Sequence, residues 1–337
     1  MKIIIDAMSG DNAPEEIVKG AVMAYRQLGV EITLVGQQEI VKACLEKEGC
    51  TEADKIEIVD ARDVITMEDD PSTATRRKKD ASMTVALNLL RDGQGDALVS
   101  AGSTGALLTG ATLIVKRING IRRAALSPVL PNGGKGVVLI DCGANVDCTP
   151  EYLLQFGYMG SFYAQKMLGI DKPRVGLANV GTEETKGGQL QHEAFALLKE
   201  AGDAGRINFI GNVEGNDLFS GRVDVVVADG FTGNIMLKTA ESTIKFIMGN
   251  LKGIFYKNLK NKLAAAAIKG DLSAMKKTLD VKEVGGTVML GISKPVIKAH
   301  GSSDARCIFA AARQAVACIE GGVAEKIKEN IEYMKIG

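Results

Sequence analysis

The stretch Val223-Asp224-Val225-Val226-Val227-Ala228-Asp229-Gly230-Phe231-Thr232-Gly233-Asn234 sets the fold class. Its apolar residues are consecutive, the pattern of a strand covered on both faces, and a glycine-bracketed turn leads from it into the helical pattern Ile235 to Ile247. A strand, turn and helix in that order belong to a parallel α/β sheet. Eight more short apolar runs end in polar, Gly-rich clusters, at 2–7, 31–36, 56–61, 96–102, 137–144, 174–181, 207–215 and 295–301. Most are separated by segments long enough for a helix. The expected architecture is therefore α/β, a mostly parallel sheet with helices on both faces. Pro14 and Pro150 suit first helical positions, with Glu15, Glu16 and Glu151 complementing the helix dipole. Neither a repeat nor a low-complexity linker interrupts the pattern, so residues 1–337 are expected to form one catalytic unit, with two subdomains left open.

Composition excludes several classes. The 337 residues carry 41 Lys plus Arg and 41 Asp plus Glu, so no global charge calls for nucleic acid. The six cysteines form no CxxC and no zinc pattern with His192 or His300, which suggests a reduced, cytoplasmic setting and no metal. Residues 97–115 run without a charge, yet Ser100, Gly102, Ser103, Thr104 and Gly105 make them strand, turn and helix start, not a membrane span.

In a parallel sheet, chemistry belongs at the carboxyl ends of the strands, and seven polar clusters sit there: 6–12, 100–105, 141–145, 179–186, 212–217, 229–234 and 300–306. Each alone reads equally as an ordinary turn; their recurrence is the informative part. The 229–234 turn is expected to present free backbone N–H groups to an anion, as is the 100–105 turn with its added hydroxyls. Neither matches a dinucleotide or nucleoside-triphosphate fingerprint, so no cofactor is expected. Lys186 could set an ammonium beside a phosphate or a developing oxyanion, or simply be a solvated residue opening a helix at 187–199. His300 reads as a proton donor or as a structural histidine. No GxSxG elbow is present, and Cys142 and Cys148 have no histidine near in sequence. If acyl transfer is the chemistry, the attacking group comes from the substrate, and phosphate fits that part.

Residues 245–282 carry nine lysines against Asp271 and Asp280, with apolar residues including Ile254, Phe255, Leu259 and Leu263 at helical steps and a turn expected at Gly270-Asp271. This reads as a basic amphipathic hairpin for an anionic bilayer surface, or equally as a dimer interface or a solvated helix pair. A second basic cluster, Arg76-Arg77-Lys78-Lys79 with Arg122 and Arg123, suits an acidic protein, a phosphate or plain solvent.

Taken together, the motifs resemble the bacterial acyl-acyl-carrier-protein:phosphate acyltransferases of phospholipid synthesis. The resemblance runs in order through Asp6 to Pro14, Arg77 to Asp80, Ser100 to Ala106, Gly143 to Asp147, Glu183 to Gly187, Gly211 to Gly215, Asp229 to Asn234 and His300 to Arg306. Ser9 stands where the family pattern has glycine, and Ser103 where it has asparagine. The resemblance implies a fold similar to the isocitrate/isopropylmalate dehydrogenases and phosphate acetyltransferase, a homodimer, and peripheral association with the inner face of the cell membrane. It implies transfer of a long-chain acyl group from acyl carrier protein to inorganic phosphate, the acyl phosphate then serving a glycerol-3-phosphate acyltransferase. Lys186, His300 and Asn234 are the expected catalytic residues. Asp11, Asn12, Ser103, Thr104, Asn145, Glu183, Asn212, Asp229, Gly230, Thr232, Gly233, Ser302, Ser303 and Asp304 are the expected phosphate- and substrate-binding residues. The rival readings are a short-chain phosphotransacylase using acyl-coenzyme A, an NAD-dependent decarboxylating dehydrogenase, and a noncatalytic membrane adaptor for the carrier protein.

Overall fold

The computed structural model describes residues 1–51, 54–272, 275 and 285–335. Among these residues, twelve strands form two sheets. They are β1 (Lys2–Asp6), β2 (Glu31–Gly36), β3 (Ile56–Asp60), β4 (Ala97–Ser100), β5 (Ala125–Ser127), β6 (Val129–Leu130), β7 (Val137–Ile140), β8 (Arg174–Ala178), β9 (Asn208–Val213), β10 (Val225–Val227), β11 (Thr287–Leu290) and β12 (Val296–Lys298). The first sheet has the order β3-β2-β1-β4-β12-β11-β5 and the second β6-β7-β10-β8-β9. Among these strands, only the pairings of β11 with β12 and β5, and of β6 with β7, are antiparallel.

The consecutive apolar residues explain the layering. Ile3 and Ile5 of β1 enter one buried cluster and Ile4 the other; Val225 and Val227 of β10 part from Val226 in the same way. Helices α1 (Glu15–Leu28) and α2 (Gln38–Lys47) add apolar residues to the first cluster, while α4 (Ser82–Arg91) and α5 (Thr104–Gly110), after the short α3 (Ala74–Arg77), add theirs to the second. Further on, α6 (Pro150–Leu168), α7 (Gln189–Asp203) and α10 (Ala305–Glu320) join the first cluster, with α11 (Val323–Glu329) behind them. Between them come α8 (Gly230–Tyr256) and α9 (Leu259–Ala267). Both sheet faces are thus covered, which is why the strands lack polar alternation.

All nine expected strands are present, shortened where the polar cluster belongs to the following loop. Strands β5, β6 and β11, of three, two and four residues, are additional to the expected nine. Residues 125–130 form the seam between the sheets. Cys142 N–H donates to Leu126 O (3.1 Å) and Leu139 N–H to Pro128 O (3.1 Å), so one extended segment pairs antiparallel with β7 while its first half closes the other sheet. Strand direction therefore reverses across the seam. The seven clusters do not share one rim, as expected from a single sheet, but divide into two groups.

Two local expectations are also corrected. Pro150 opens α6 as expected, whereas Pro14 sits one residue before α1. The hairpin turns at Lys257-Asn258 and not at Gly270-Asp271, which lies in helical backbone at 269–272. Asn258 caps α9 by accepting from Asn261 N–H (2.8 Å), and the ~1 kcal/mol that an interior glycine costs is small enough for the helical backbone to run through Gly270. Lys276, Lys277, Asp280 and Lys282 lie outside the described residues.

Candidate active site

The first group gathers at the carboxyl ends of β1, β4 and β12. Asp11 N–H donates to Gly301 O (2.8 Å), Asn12 Nδ2 to Ser303 O (3.1 Å) and Ser100 Oγ to the buried Asp6 Oδ2 (2.7 Å), locking three loops together. Asp11, Asn12, Ser103, Thr104, His300, Ser302 and Ser303 all belong here. In the 100–105 turn, Ser103 caps α5 by accepting from Ala106 N–H (3.5 Å). Among the described residues no acceptor meets the backbone N–H of Thr104 or Gly105. The buried hydroxyls of Ser9 and Ser303 likewise have no hydrogen-bond partner there.

The sequence reading missed Lys298, at the end of β12. Its side chain is buried, and Nζ donates to Ala101 O (3.2 Å) and to Ala299 O, beside the 100–105 turn. Burial pulls this ammonium down to about 8, while the carboxylates of Asp6 and Asp11 hold it partly up. The available signal was a lysine closing an otherwise apolar strand at the edge where chemistry is sited. His300 is exposed, and its Nδ1 accepts from Ser302 N–H (3.2 Å), which leaves the neutral ring's proton on Nε2. Asp304 is a cap for α10 and not a free ligand: Oδ1 accepts from Cys307 N–H (3.0 Å) and Oδ2 pairs with Arg306 (3.2 Å). Burial favours its neutral form, but those bonds prevail and hold the carboxyl at about 2.

The second group lies at the ends of β7, β8, β9 and β10. Asp141 is fully buried and its carboxylate accepts from the N–H groups of Leu126 (2.9 Å), Ala144 (3.2 Å) and Asn145 (2.7 Å) and from Asn145 Nδ2 (3.0 Å). Burial pushes its carboxyl above the usual range, and these donors draw it part of the way back. Asn145 Nδ2 also reaches Ala124 O (2.9 Å), tying this loop to the seam. Asn212 Nδ2 holds Glu183 O (2.9 Å) and so fixes the loop carrying Lys186, whose side chain is exposed. Asn234 faces Gly143.

The 229–234 turn departs from expectation. Gly230 N–H donates to Asn145 O (2.7 Å), Thr232 N–H to Asp229 Oδ1 (2.9 Å) and Gly233 N–H to Asp229 O (2.9 Å), while Thr232 Oγ1 donates to Asp229 Oδ2 (2.7 Å). The helix start is already capped by its own carboxylate, so Asp229, Gly230, Thr232 and Gly233 do not offer the expected set of free donors. The glycines serve close packing instead: a Cβ on Gly233 would lie 1.9 Å from Asp141 O, and one on Gly230 2.5 Å from Asn145 O.

The thiols near the second group are not poised as nucleophiles. Burial pushes Cys148 up to about 12 and Cys142 well above its ordinary value, aided in both by the Asp141 charge.

Known proteins place this architecture. A family model described as "Fatty acid synthesis protein" matches residues 1–326. A phosphate acyltransferase of Oceanobacillus iheyensis is 48% identical over 333 residues, covering 98% of each chain, and one of Listeria monocytogenes is 46% identical over 339 residues, covering 100% of this chain and 98% of its own. In fold, the chain is similar to a phosphotransacetylase from Streptococcus pyogenes (TM-score 0.61, 20% identity, 94% of both chains). It is also similar to the EutD phosphotransacetylase of Staphylococcus aureus (TM-score 0.63, 17% identity, 95% of this chain and 94% of that one). A branched-chain phosphotransacylase from Enterococcus faecalis shares the fold more distantly (TM-score 0.54, 17% identity, 94% of this chain and 99% of that one). With nearly half its residues identical over almost the full length of both chains, the protein belongs to the phosphate acyltransferase family and is an enzyme of that type.

Proposed function

We propose that the protein moves a long-chain acyl group from the thioester of acyl carrier protein to inorganic phosphate, releasing acyl phosphate. The observation that carries this reading is a cradle without a nucleophile. The N–H groups of Thr104 and Gly105, the hydroxyls of Ser9, Ser103 and Ser303 and the buried Lys298 ammonium suit a phosphate, whereas the Cys142 and Cys148 thiols are held protonated. In this reading a phosphate oxygen attacks the thioester carbonyl, the C–S bond breaks, and the leaving thiolate, held by His300 Nε2–H, takes up the proton of the phosphate hydroxyl. Lys298 offsets the charge of the phosphate, Lys186 that of the developing oxyanion, and Asn12, Asn145, Asn212 and Asn234 orient the reactants.

Incubating the purified protein with palmitoyl-carrier protein, with and without phosphate, tests the reading. Hydroxylamine capture should find acyl phosphate only when phosphate is present. A covalently palmitoylated polypeptide that goes on to yield product would overturn direct displacement, and equal use of acetyl-coenzyme A would favour a short-chain enzyme. Lys186→Ala should lower the rate by about 10²-fold, and unchanged turnover would remove Lys186 from the reaction.

The product, an acid anhydride, calls for a downstream acyl acceptor such as glycerol 3-phosphate, and its acyl chain favours release at a membrane. The α8–α9 hairpin supports such a placement: Ile254, Leu259 and Leu263 are 56%, 74% and 65% exposed among lysines, and Phe255 is half-buried. A homodimer of this chain completes the proposed assembly.

A further inference from the structure

A groove of about 840 Å³ opens beside the second group, walled by Leu113, Lys116, Arg117, Arg122, Arg123 and Tyr152. Among the described residues Glu151 is its one acid, and it pairs with Arg122 (3.2 Å). Among those residues, too, no carboxylate comes within ion-pair distance of Lys116, Arg117 or Arg123. Arg123 instead stacks over Tyr152, 5.2 Å from the ring centre. Lys116 has φ +74°, the left-handed region that a side chain resists, and it is pinned there because its N–H donates to Ala111 O (2.9 Å) and its carbonyl accepts from Ser293 N–H (2.9 Å). The backbone thus holds a lysine at a position better suited to glycine. Leu113, 65% exposed, supplies an apolar contact within the cationic wall. The groove wall is tied to the second group, since Asn145 Nδ2 donates to the carbonyl of Ala124, the residue after Arg123 (2.9 Å).

We propose that this groove docks the acidic body of the carrier protein, its carboxylates and the phosphodiester of its pantetheine arm meeting Lys116, Arg117, Arg122 and Arg123 while an apolar side chain covers Leu113. The proposal rests on the reading that a carrier protein is the acyl donor. A flat bilayer does not enter a concave groove, and the exposed apolar residues suited to lipid lie on the hairpin instead.

Fluorescence anisotropy of labelled holo-carrier protein against the full chain tests it. Lys116→Glu combined with Arg123→Glu should weaken binding about 10-fold or more, with wild-type affinity falling steeply as salt rises. Lys116→Gly, which suits the backbone, should weaken it by about 3-fold without loss of fold. The KM for palmitoyl-carrier protein should rise in step with the binding loss. Reversal of Arg76 and Lys79, which do not line the groove, should weaken binding less than Lys116→Glu with Arg123→Glu does. Unchanged carrier binding by both groove variants would overturn the proposal. So would dissociation of a dimer by them, which would put a second copy in the groove, or loss of binding to phosphatidylglycerol vesicles with carrier binding intact. Binding is read without turnover. A wild type that binds carrier but forms no acyl phosphate would sink the proposed reaction and leave the docking site standing.

Discussion

Lys298 and Asp141 show how burial sets the behaviour of single residues. Lys298 is protonated more weakly in the folded chain than in the unfolded one, so the cost of burying its charge is fully present below pH 8 and is relieved as pH rises from there toward the ordinary lysine value of 10.5. Relative to Lys298→Met, the wild type should gain about 3 kcal/mol of stability across that window, read from urea denaturation at pH 7.5 and pH 10. Parallel denaturation curves for the two proteins would contradict the assignment. The same substitution should cut acyl phosphate formation by about 10²-fold at pH 7. Asp141 gathers four N–H donors, so Asp141→Ala should cost about 3–5 kcal/mol by leaving them buried and unpaired. A loss below about 1 kcal/mol would mean that water replaces the carboxylate. His300 and Lys186 stood out in the sequence because polar clusters surround them; Lys298 did not, because only the burial of its strand end makes it unusual.

Among the elements, α8 combines two tasks. Its first turn packs against the 141–145 loop so closely that Gly233→Ala has no room, and a destabilisation of about 3 kcal/mol or more is expected in chemical denaturation. Wild-type stability for that variant would show that the loop yields. Its far end, with α9, carries the exposed apolar residues. Leu259→Glu with Leu263→Glu should release the protein from phosphatidylglycerol vesicles while leaving turnover of soluble substrate intact, as read by vesicle flotation and hydroxylamine capture. Undiminished flotation would assign the face to another partner. The helical period made this hairpin legible in the sequence, but its turn was misplaced by 13 residues, because Gly270 looked like the stronger breaker and the capping bond of Asn258 depends on local backbone geometry.

For the molecule as a whole, the two sheets share their cores. The first cluster holds Ile3 and Val99 of one sheet with Val138 and Val225 of the other, and the second holds Ile4 and Leu98 with Leu139 and Val226. Unfolding should therefore be a single transition, coincident by far-UV circular dichroism and by the fluorescence of the six tyrosines; two separated transitions would show independent units. The amino-acid sequence by itself determined the α/β class, nine of the strands and the edges at which polar residues gather, because both-face burial and turn chemistry are local patterns written in consecutive residues. Only the tertiary structure decided that those edges form two groups and that Lys298 stands buried beside the 100–105 turn. Each of these depends on the short seam at 125–130 or on contacts between residues far apart in the chain, and a pairing across such a distance leaves no period behind to be read.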